Sequence, residues 1–341
     1  MQSSHSTPAF ESIARHCCCC DSNATAWLGR KRGEFVPREF DFFACTDCGW
    51  RFVEPFTGYE IYDDAYYRGQ GPDPYVDYAA EYRDWRTTDR GLEFADLARI
   101  AATYLSAGER GKEKGEGRGA GPAPSSLFPF PDEQRPLSWL DFGCGAGGLL
   151  KFLRERRELS GRPLELTGHD VGSYANLLRS ADGFRILDLA TLEREPASRF
   201  DIISMIEVIE HLPNPAAPLA LASRLLKPGG MLLLTTGNLD SPVARRRGLR
   251  YRYCAPEIHV SLFNPRCLAQ LYRRVGLRPH PVRYRGAVAF KVVKTLRRHP
   301  ALRALARVAL RFPPFVWLID RAYGVSAMPC AVKPDPASAP R

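Results

Sequence analysis

Apolar runs and mixed segments alternate along the second half of the chain. Strand-like runs rich in apolar residues occupy 137–142, 164–171, 184–187, 200–208 and 230–236. Segments with apolar positions at helical spacing lie at 148–159, 174–181 and 215–226. The runs predict buried strands and the spaced positions predict helices. Strands alternating with such helices predict a doubly wound, Rossmann-like α/β fold, with a mostly parallel sheet that binds ligands at the carboxyl ends of its strands.

Weaker patterns flank this core. Residues 78–105 carry an apolar stripe at helical spacing, which predicts a single helix. Another helix is expected to begin at Pro265, because Asn264 suits the N-cap and Gly276 suits the position after the last turn. Three further elements are predicted: a strand at 278–284, a basic helix at 296–311 and an edge strand at 326–332.

The composition is that of a globular protein. The 341 residues are 45% hydrophobic and 25% charged, enough for one large core and a smaller module. No apolar run reaches the roughly 18 residues of a membrane span. The first residues lack the basic start and apolar stretch of a secretory signal. We therefore expect a cytoplasmic protein.

Positive charge is concentrated in two segments. The formal net charge is +10, with arginines clustered in 245–252 and along the helix predicted at 296–311. Such runs are usually solvated surface. They would also suit an acidic partner: a phosphorylated or nucleotide-linked small molecule, RNA, or an anionic membrane contacted peripherally through the basic helix. The sequence leaves these alternatives open.

The sequence LDFGCGAGG at 140–148 joins the first predicted strand to its helix. Glycines at such a turn let the backbone bend sharply and approach a ligand closely. With Gly148 the loop reads G-x-G-x-x-G, as in dinucleotide sites, and with Gly147 it reads G-x-G-x-G. Asp141 separates the two interpretations, because its carboxylate would repel a pyrophosphate but suits a cationic or donor-rich ligand.

Four motifs in order resemble the class I S-adenosylmethionine-dependent methyltransferases. They are the glycine loop, GHD at 168–170, FDIISMIEVIEHL at 200–212 and LKPGG at 226–230. The resemblance implies S-adenosyl-L-methionine as cofactor. It implies these contacts: Asp141, Gly143 and Gly145 at the methionine part, Gly147 as the third diagnostic glycine, Asp170 at the ribose and Asp188 at the adenine edge. Asp is also common in turns, so Asp188 has a purely structural alternative.

Transfer of an activated methyl group mainly requires an aligned nucleophile, and a base is needed only where that nucleophile carries a proton. The catalytic candidates at the mouth of the sheet are Glu207, Glu210, His211 and His259. His211 is a natural base because imidazole titrates near neutrality. Its EHL motif also fits a structural role, since many enzymes that resemble this chain carry it whatever their substrate. His259 can likewise shape the pocket without taking part in catalysis.

Six of the ten cysteines lie in the first 48 residues. The C-x-x-C pairs are Cys17 with Cys20 and Cys45 with Cys48. This spacing is typical of a tetrahedral Zn2+ site. The adjacent Cys18, Cys19 and His16 complicate the choice of ligands, and unliganded thiols are the alternative. Similarity to methyltransferases with an N-terminal C-x-x-C…C-x-x-C-G module, here ending in CTDCGWRFVEP, favours structural zinc.

The chain is therefore expected to have six parts. They are a disordered tail (1–16), a zinc-ribbon-like module (17–58), a tyrosine-rich connector and helix (59–105), a low-complexity insertion (106–136), the methyltransferase domain (137–295), and a basic helix, strand and tail (296–341). The predicted function is methylation of a small molecule such as a sugar, a nucleotide-sugar or a lipid-linked glycan. One alternative is an RNA methyltransferase whose zinc module and basic segments bind RNA. The other is a non-catalytic protein that binds a partner through the module.

Overall fold

Two β-sheets and twelve α-helices make up the part of the chain that the structure describes. The computed structural model describes residues 16–33, 35–71, 77–113, 135–296 and 299–335. The strands are β1 Thr25–Arg32, β2 Glu39–Cys45, β3 Arg51–Glu54, β4 Leu137–Phe142, β5 Glu158–Leu159, β6 Arg162–His169, β7 Arg185–Leu187, β8 Phe200–Ile206, β9 Leu226–Thr235, β10 Ser261–Leu262, β11 Arg278–His280 and β12 Cys330–Val332. The helices are α1 Asp64–Tyr67, α2 Tyr78–Arg83, α3 Arg90–Glu113, α4 Gly148–Arg156, α5 Tyr174–Ser180, α6 Leu189–Arg194, α7 Ala216–Leu225, α8 Pro242–Arg247, α9 Pro265–Arg274, α10 Gly286–Thr295, α11 Pro300–Ala309 and α12 Pro313–Tyr323.

The larger sheet has the predicted doubly wound fold. Its strands lie in the order β11-β12-β9-β8-β4-β6-β5, and β7 also pairs with β6. The five strands β9, β8, β4, β6 and β7 run parallel, whereas β12, β11 and β5 are antiparallel additions. Residues of α3, α4 and α10 share a buried cluster with this sheet, and residues of α7 and α9 share another. The strand order reverses at β4, so the crevice of such a sheet lies at the carboxyl ends of β4 and β8.

The structure corrects the element predictions around this sheet. The helix predicted at 78–105 is two helices, because Asp84 ends α2 and its carboxylate caps a short 3₁₀ turn that precedes α3. α3 then continues to Glu113, into the predicted insertion, of which 114–134 lies outside the described residues. The strand predicted at an edge is β12, and it lies between β9 and β11. Sheet pairing therefore extends the α/β domain beyond residue 295.

One further prediction needs correction, and another concerns residues outside the described part of the chain. The basic helix predicted at 296–311 is α11, which begins at Pro300, and α10 and α12 on either side of it were not predicted. The tail predicted at 1–16 lies outside the described residues except for His16. Among the described helices, none combines the length and apolar composition needed to cross a membrane.

The smaller sheet is shared between the cysteine-bearing segment and the α/β domain. β1, β2 and β3 form an antiparallel meander, and β10 adds a fourth strand to it. Ser261 of β10 pairs with Phe52, and Leu262 pairs with Arg51. Asn264, the N-cap of α9, donates from its side-chain amide to the Cys48 and Gly49 carbonyls at 3.3 Å each. The segment predicted as a separate module is therefore hydrogen-bonded into the domain that follows it.

Candidate functional site

The glycine loop between β4 and α4 adopts the conformation of the G-x-G-x-G spacing. Gly143, Gly145 and Gly147 have positive φ angles of 79°, 51° and 74°, a region that side-chain-bearing residues rarely adopt. Gly148 has no such angle and begins α4. A Cβ at Gly148 would lie 2.2 Å from a carboxylate oxygen of Glu81. The backbone angles of the turn require the first three glycines, and the fourth leaves room for the Glu81 carboxylate.

Three carboxylates surround this loop. Asp141 is 3% exposed and accepts a hydrogen bond from the Ser204 hydroxyl at 2.7 Å, and its burial raises its pKa to about 7. Asp170 accepts from the backbone N–H of Gly145 at 2.7 Å. Glu81 is buried at the start of α4, and burial raises its pKa as well. An acidic loop of this kind opposes a pyrophosphate and suits a cationic ligand.

The tyrosine-rich connector folds over the glycine loop, a role that sequence reasoning missed. A Cβ on Gly145 would lie 3.0 Å from the Tyr78 ring, and a Cβ on Gly172 would lie 2.0 Å from the Tyr67 hydroxyl. The Tyr67 ring meets the rings of Tyr78 and Tyr174 edge to face, at centroid distances of 5.4 and 5.5 Å. Aromatic faces attract cations. The density of tyrosines was the available signal, but it did not indicate which rings reach the loop.

Asp188 follows β7 and caps α6. Its exposed carboxylate accepts from the backbone N–H of Thr191 at 2.8 Å. Asp188 therefore has a structural role as a helix cap, and its adenine contact stays a prediction.

The two histidine candidates meet beyond the carboxyl end of β8, with ring centroids 5.0 Å apart. Nδ1 of His211 lies 2.9 Å from the Ile258 carbonyl and 2.8 Å from the Tyr62 hydroxyl. Nδ1 of His259 lies 2.7 Å from the Tyr253 carbonyl. A carbonyl can only accept, so each neutral ring carries its proton on Nδ1 and its basic nitrogen is Nε2.

Glu210 is fully buried next to these histidines. One of its oxygens accepts from the Tyr253 hydroxyl and the other from the Thr236 hydroxyl at 3.0 Å. Burial raises its pKa well above the ordinary value. Glu210, His211 and His259 each offer one ligand atom within 4.8 Å of the others, a spacing that a metal could use. Because hydroxyl donors already engage both carboxyl oxygens, Glu210 is placed to hold Tyr253 and Thr236.

Glu207 was a catalytic candidate from the sequence, but its coupling to two lysines of α10 was missed. Glu207 directly follows β8 with a φ of 52°, a strained angle for a residue with a side chain. Burial alone would raise the pKa of Glu207, but the positive charges of Lys291 and Lys294 lower it below its ordinary value. Burial likewise opposes the charge of Lys291, yet Glu207 raises its pKa. These residues lie far apart in the chain, so no local motif could reveal their coupling.

The four predicted zinc ligands converge. The Sγ atoms of Cys17 and Cys48 lie 3.4 Å apart, those of Cys20 and Cys45 lie 3.5 Å apart, and all four lie within 4.8 Å of one another. All ten cysteines are free thiols. A tetrahedral zinc ion with Zn–S bonds of about 2.3 Å needs sulfurs about 3.8 Å apart. The four sulfurs therefore fit Zn2+, and the neighbouring Cys18 is not part of the group.

Comparison with known proteins points to one kind of domain. Residues 117–282 match a family model described as a methyltransferase domain. The chain is 34% identical over 107 residues to the ubiquinone biosynthesis O-methyltransferase of Pseudomonas aeruginosa (strain LESB58), covering 29% of this chain and 44% of that protein. It is 31% identical over 152 residues to the protein of the same name from Saccharophagus degradans, covering 40% of this chain and 62% of that protein. The chain thus spans less than two thirds of each of these relatives.

Among solved structures, the YcgJ protein from Bacillus subtilis is similar over 44% of this chain and 66% of its own, with 21% identity and a TM-score of 0.34. That likeness is too distant to carry an argument. The family match covers every strand of the doubly wound sheet except β12. The α/β domain therefore has a doubly wound, Rossmann-like fold and is similar to a methyltransferase domain.

Proposed function

We propose that this chain is an S-adenosylmethionine-dependent methyltransferase that methylates a hydroxyl group of a small molecule. The observation that carries the proposal is the acidic glycine loop, where Asp141, Glu81 and Asp170 surround the turn between β4 and α4. A ligand with sulfonium and ammonium charges suits such a loop, and a dinucleotide does not. The methyltransferase family match supports the same cofactor.

Different residues around the glycine loop would contact different parts of this cofactor. The Asp141 carboxylate would face the cationic methionine end, and Asp170, at the end of β6, would accept from the ribose hydroxyls. The rings of Tyr67 and Tyr78 would exclude water above the loop. When bound, the cofactor supplies a methyl group already activated for transfer. The proposed cofactor-binding residues are Asp141, Gly143, Gly145, Gly147, Asp170 and Asp188.

The histidines supply the base in this proposal. A hydroxyl acceptor must lose its proton as its oxygen bonds to the methyl carbon. Nε2 of His211 would take that proton, because Nδ1 donates to the Ile258 carbonyl and so fixes the ring. His259 would line the acceptor pocket beside it, and Glu210 would hold Tyr253, whose ring lies 4.2 Å from that of His259.

The acceptor is assigned by class. The curated relatives are named O-methyltransferases, which favours oxygen as the acceptor atom. Glu207, Lys291 and Lys294 make the neighbourhood of β8 polar, which suits a hydroxylated acceptor. A sugar, a nucleotide-sugar or a lipid-linked glycan meets this description.

The proposal includes a structural Zn2+ held by Cys17, Cys20, Cys45 and Cys48. A closed four-thiolate site of this kind contributes directly to folding. The metal would fix the turn that bonds to Asn264 and the sheet that bonds to β10. Next to β10, the backbone N–H of Val53 donates to the Val260 carbonyl at 3.0 Å. Zinc would therefore support the loop that presents His259.

Methyl-labelled S-adenosylmethionine, supplied with fractionated extract, tests the proposal. We expect the label in a small-molecule product whose new methyl group is on oxygen. Label in RNA, with binding that weakens steeply as salt rises, would instead support the RNA alternative. Calorimetry provides the parallel readout, because a chain that binds no cofactor cannot be this enzyme and the non-catalytic alternative would then hold.

A further inference from the structure

Exposed apolar side chains are concentrated on one short part of the surface. Thirteen large apolar residues are exposed in the described part of the chain, and seven of them lie within 302–318. Leu305 and Trp317 are 66% and 61% exposed. Single exposed apolar residues are ordinary, but a cluster of this kind marks an interaction site. The cluster belongs to α11, α12 and the turn between them.

The orientation of α11 is the reverse of the usual amphipathic helix. Arg303 and Arg307 both pair with Asp89, whose side chain is only 10% exposed. These two arginines of the predicted basic helix are therefore anchored to the body of the protein through Asp89. Leu302 and Leu305 are more than half exposed on the same helix. The ion pairs thus hold the apolar face of α11 outward.

The turn after α11 and the start of α12 extend this face with aromatic rings. Phe312 and Phe315 flank two prolines and are 56% and 51% exposed. Trp317 follows, with the Arg321 guanidinium 5.4 Å from the centre of its ring. Aromatic rings beside cationic groups are typical of surfaces that lie at the boundary between lipid headgroups and acyl chains.

A basic cleft adjoins the apolar face. It has a volume of about 540 Å3, and Arg245 of α8, Arg266 of α9 and Arg321 of α12 line it together with Trp317. Arg246 and Arg247 are exposed on α8 as well. Asp240 and Asp320 also line the cleft, and Asp240 lies 3.8 Å from Arg245. The arginines outnumber these acids, so the rim of the apolar face attracts anions.

We propose that α11 and α12 lie in the surface of a bilayer that contains anionic phospholipids. The leucine, phenylalanine and tryptophan side chains enter the boundary between headgroups and acyl chains, and the arginines of α8 contact lipid phosphates. This inference stands apart from methyl transfer and does not depend on it.

Charge argues for a bilayer over a second copy of the chain. Two copies joined by this face would bring the same surface patch together across a two-fold axis. Such a dimer would cover the apolar face, but it would also bring two copies of the positively charged rim into one assembly, which electrostatic repulsion opposes. An anionic bilayer satisfies the apolar face and the basic rim at the same time.

Vesicle flotation with the full chain tests the proposal. We expect binding to vesicles of phosphatidylcholine and phosphatidylglycerol, and little binding to phosphatidylcholine alone. The variant Leu305→Ser/Trp317→Ser should bind at least about tenfold more weakly, because it removes apolar contacts with the bilayer. The matched control is Leu28→Ser/Trp27→Ser on β1, where the same residue types are 43% and 61% exposed. Thermal melting checks that both variants fold, as expected for changes at exposed side chains.

Each outcome decides the proposal. Loss of binding in the α11–α12 variant but not in the β1 variant supports it, as does a decrease for Arg246→Glu/Arg247→Glu on anionic vesicles only. Absence of vesicle binding by the unaltered chain overturns it. A dimer in solution that Leu305→Ser/Trp317→Ser dissociates, without vesicle binding, would assign the face to a second copy.

Discussion

The cofactor edge of the crevice and its acceptor end are built in different ways. At the proposed cofactor edge, Asp141 lies near the end of β4, Asp170 directly follows the adjacent strand β6, and the glycine loop lies between them in the chain. The acceptor end takes Tyr62 from the connector, His211 from the turn after β8 and His259 from the loop before β10. Neighbours in sequence keep their spacing in the fold, whereas distant residues meet only through tertiary packing. A donor site can therefore appear as a motif, while an acceptor site of this kind cannot.

Removal of the proposed zinc ion should have the largest effect, and it tests whether the acceptor end depends on the cysteine-bearing segment. We expect Cys45→Ser to lose zinc and to lower turnover about 100-fold or more, because zinc contributes on the order of 10 kcal/mol to the folding of small metal modules. Cofactor affinity should stay near that of the unaltered protein, because the glycine loop is held by the other sheet. Metal analysis, turnover and calorimetry together make the measurement.

The matched control for this variant is Cys18→Ser. Cys18 lies beside the proposed ligands but outside the group of four sulfurs, so this variant should keep its zinc and its turnover. Full turnover in a metal-free Cys45→Ser protein would show that the two regions are independent.

Substitution of the proposed base should impair the acceptor end and leave the cofactor edge unaffected. His211→Ala is expected to lower turnover about 10²- to 10⁴-fold, the range of a positioned acid–base group. Its cofactor affinity should not change, since His211 contacts Tyr62 and the Ile258 carbonyl and not the glycine loop. Steady-state kinetics with calorimetry checks this, and unchanged turnover would remove His211 from the mechanism.

Substitution of Asp170 should impair the cofactor edge instead. We expect Asp170→Asn to weaken cofactor binding about 10- to 100-fold, because hydrogen bonds to a charged group contribute about 1.5–3 kcal/mol. Asp84→Asn is the matched control, and it should leave binding nearly unchanged because that carboxylate caps the short 3₁₀ turn before α3. Equal losses in the two variants would contradict the assignment of Asp170 to the ribose.

The pH dependence of cofactor binding should show the smallest effect. The pKa of Asp141 is raised to about 7 by burial, and only its ionised form attracts a cationic ligand. Affinity should therefore be constant above pH 7 and fall up to about tenfold per pH unit below it, as proton linkage requires. Asp170 and Glu81 raise this pKa further, whereas Ser204 and Arg90 lower it.

Calorimetry across this pH range makes the measurement, with Asp141→Asn as the comparison. The variant should bind more weakly at high pH and show a flat profile. A slope that survives in Asp141→Asn would assign the titration to another group.

Local patterns predicted the central fold well. The strand predicted at 137–142 matches β4 at both ends, and α9 begins at Pro265 behind its Asn264 cap as expected. A run of apolar residues and a capping residue are local features of the chain, so both are visible in the sequence. The pair of C-x-x-C motifs likewise indicated which four sulfurs would meet.

Other features depend on tertiary contacts and could not be predicted. The arginines of α11 resembled a solvated basic face until their pairing with Asp89 gave the helix its orientation. The tyrosine-rich connector gave no indication that Tyr78 lies against Gly145 of the glycine loop and Tyr67 against Gly172 after β6. Glu207 adopts a strained backbone angle that no residue type signals. In each case the deciding partner lies far away along the chain.

The two-residue strand β10 limits how this protein can be divided. The α/β domain prepared without the first 58 residues would lose the partner of β10 and uncover Leu262 and Phe263, both 0% exposed in the structure. An unpaired apolar edge of this kind promotes aggregation. Expression of the α/β domain alone, or its transfer to another protein, should therefore fail for reasons of solubility before any question of activity arises. The useful unit for such work includes the cysteine-bearing segment.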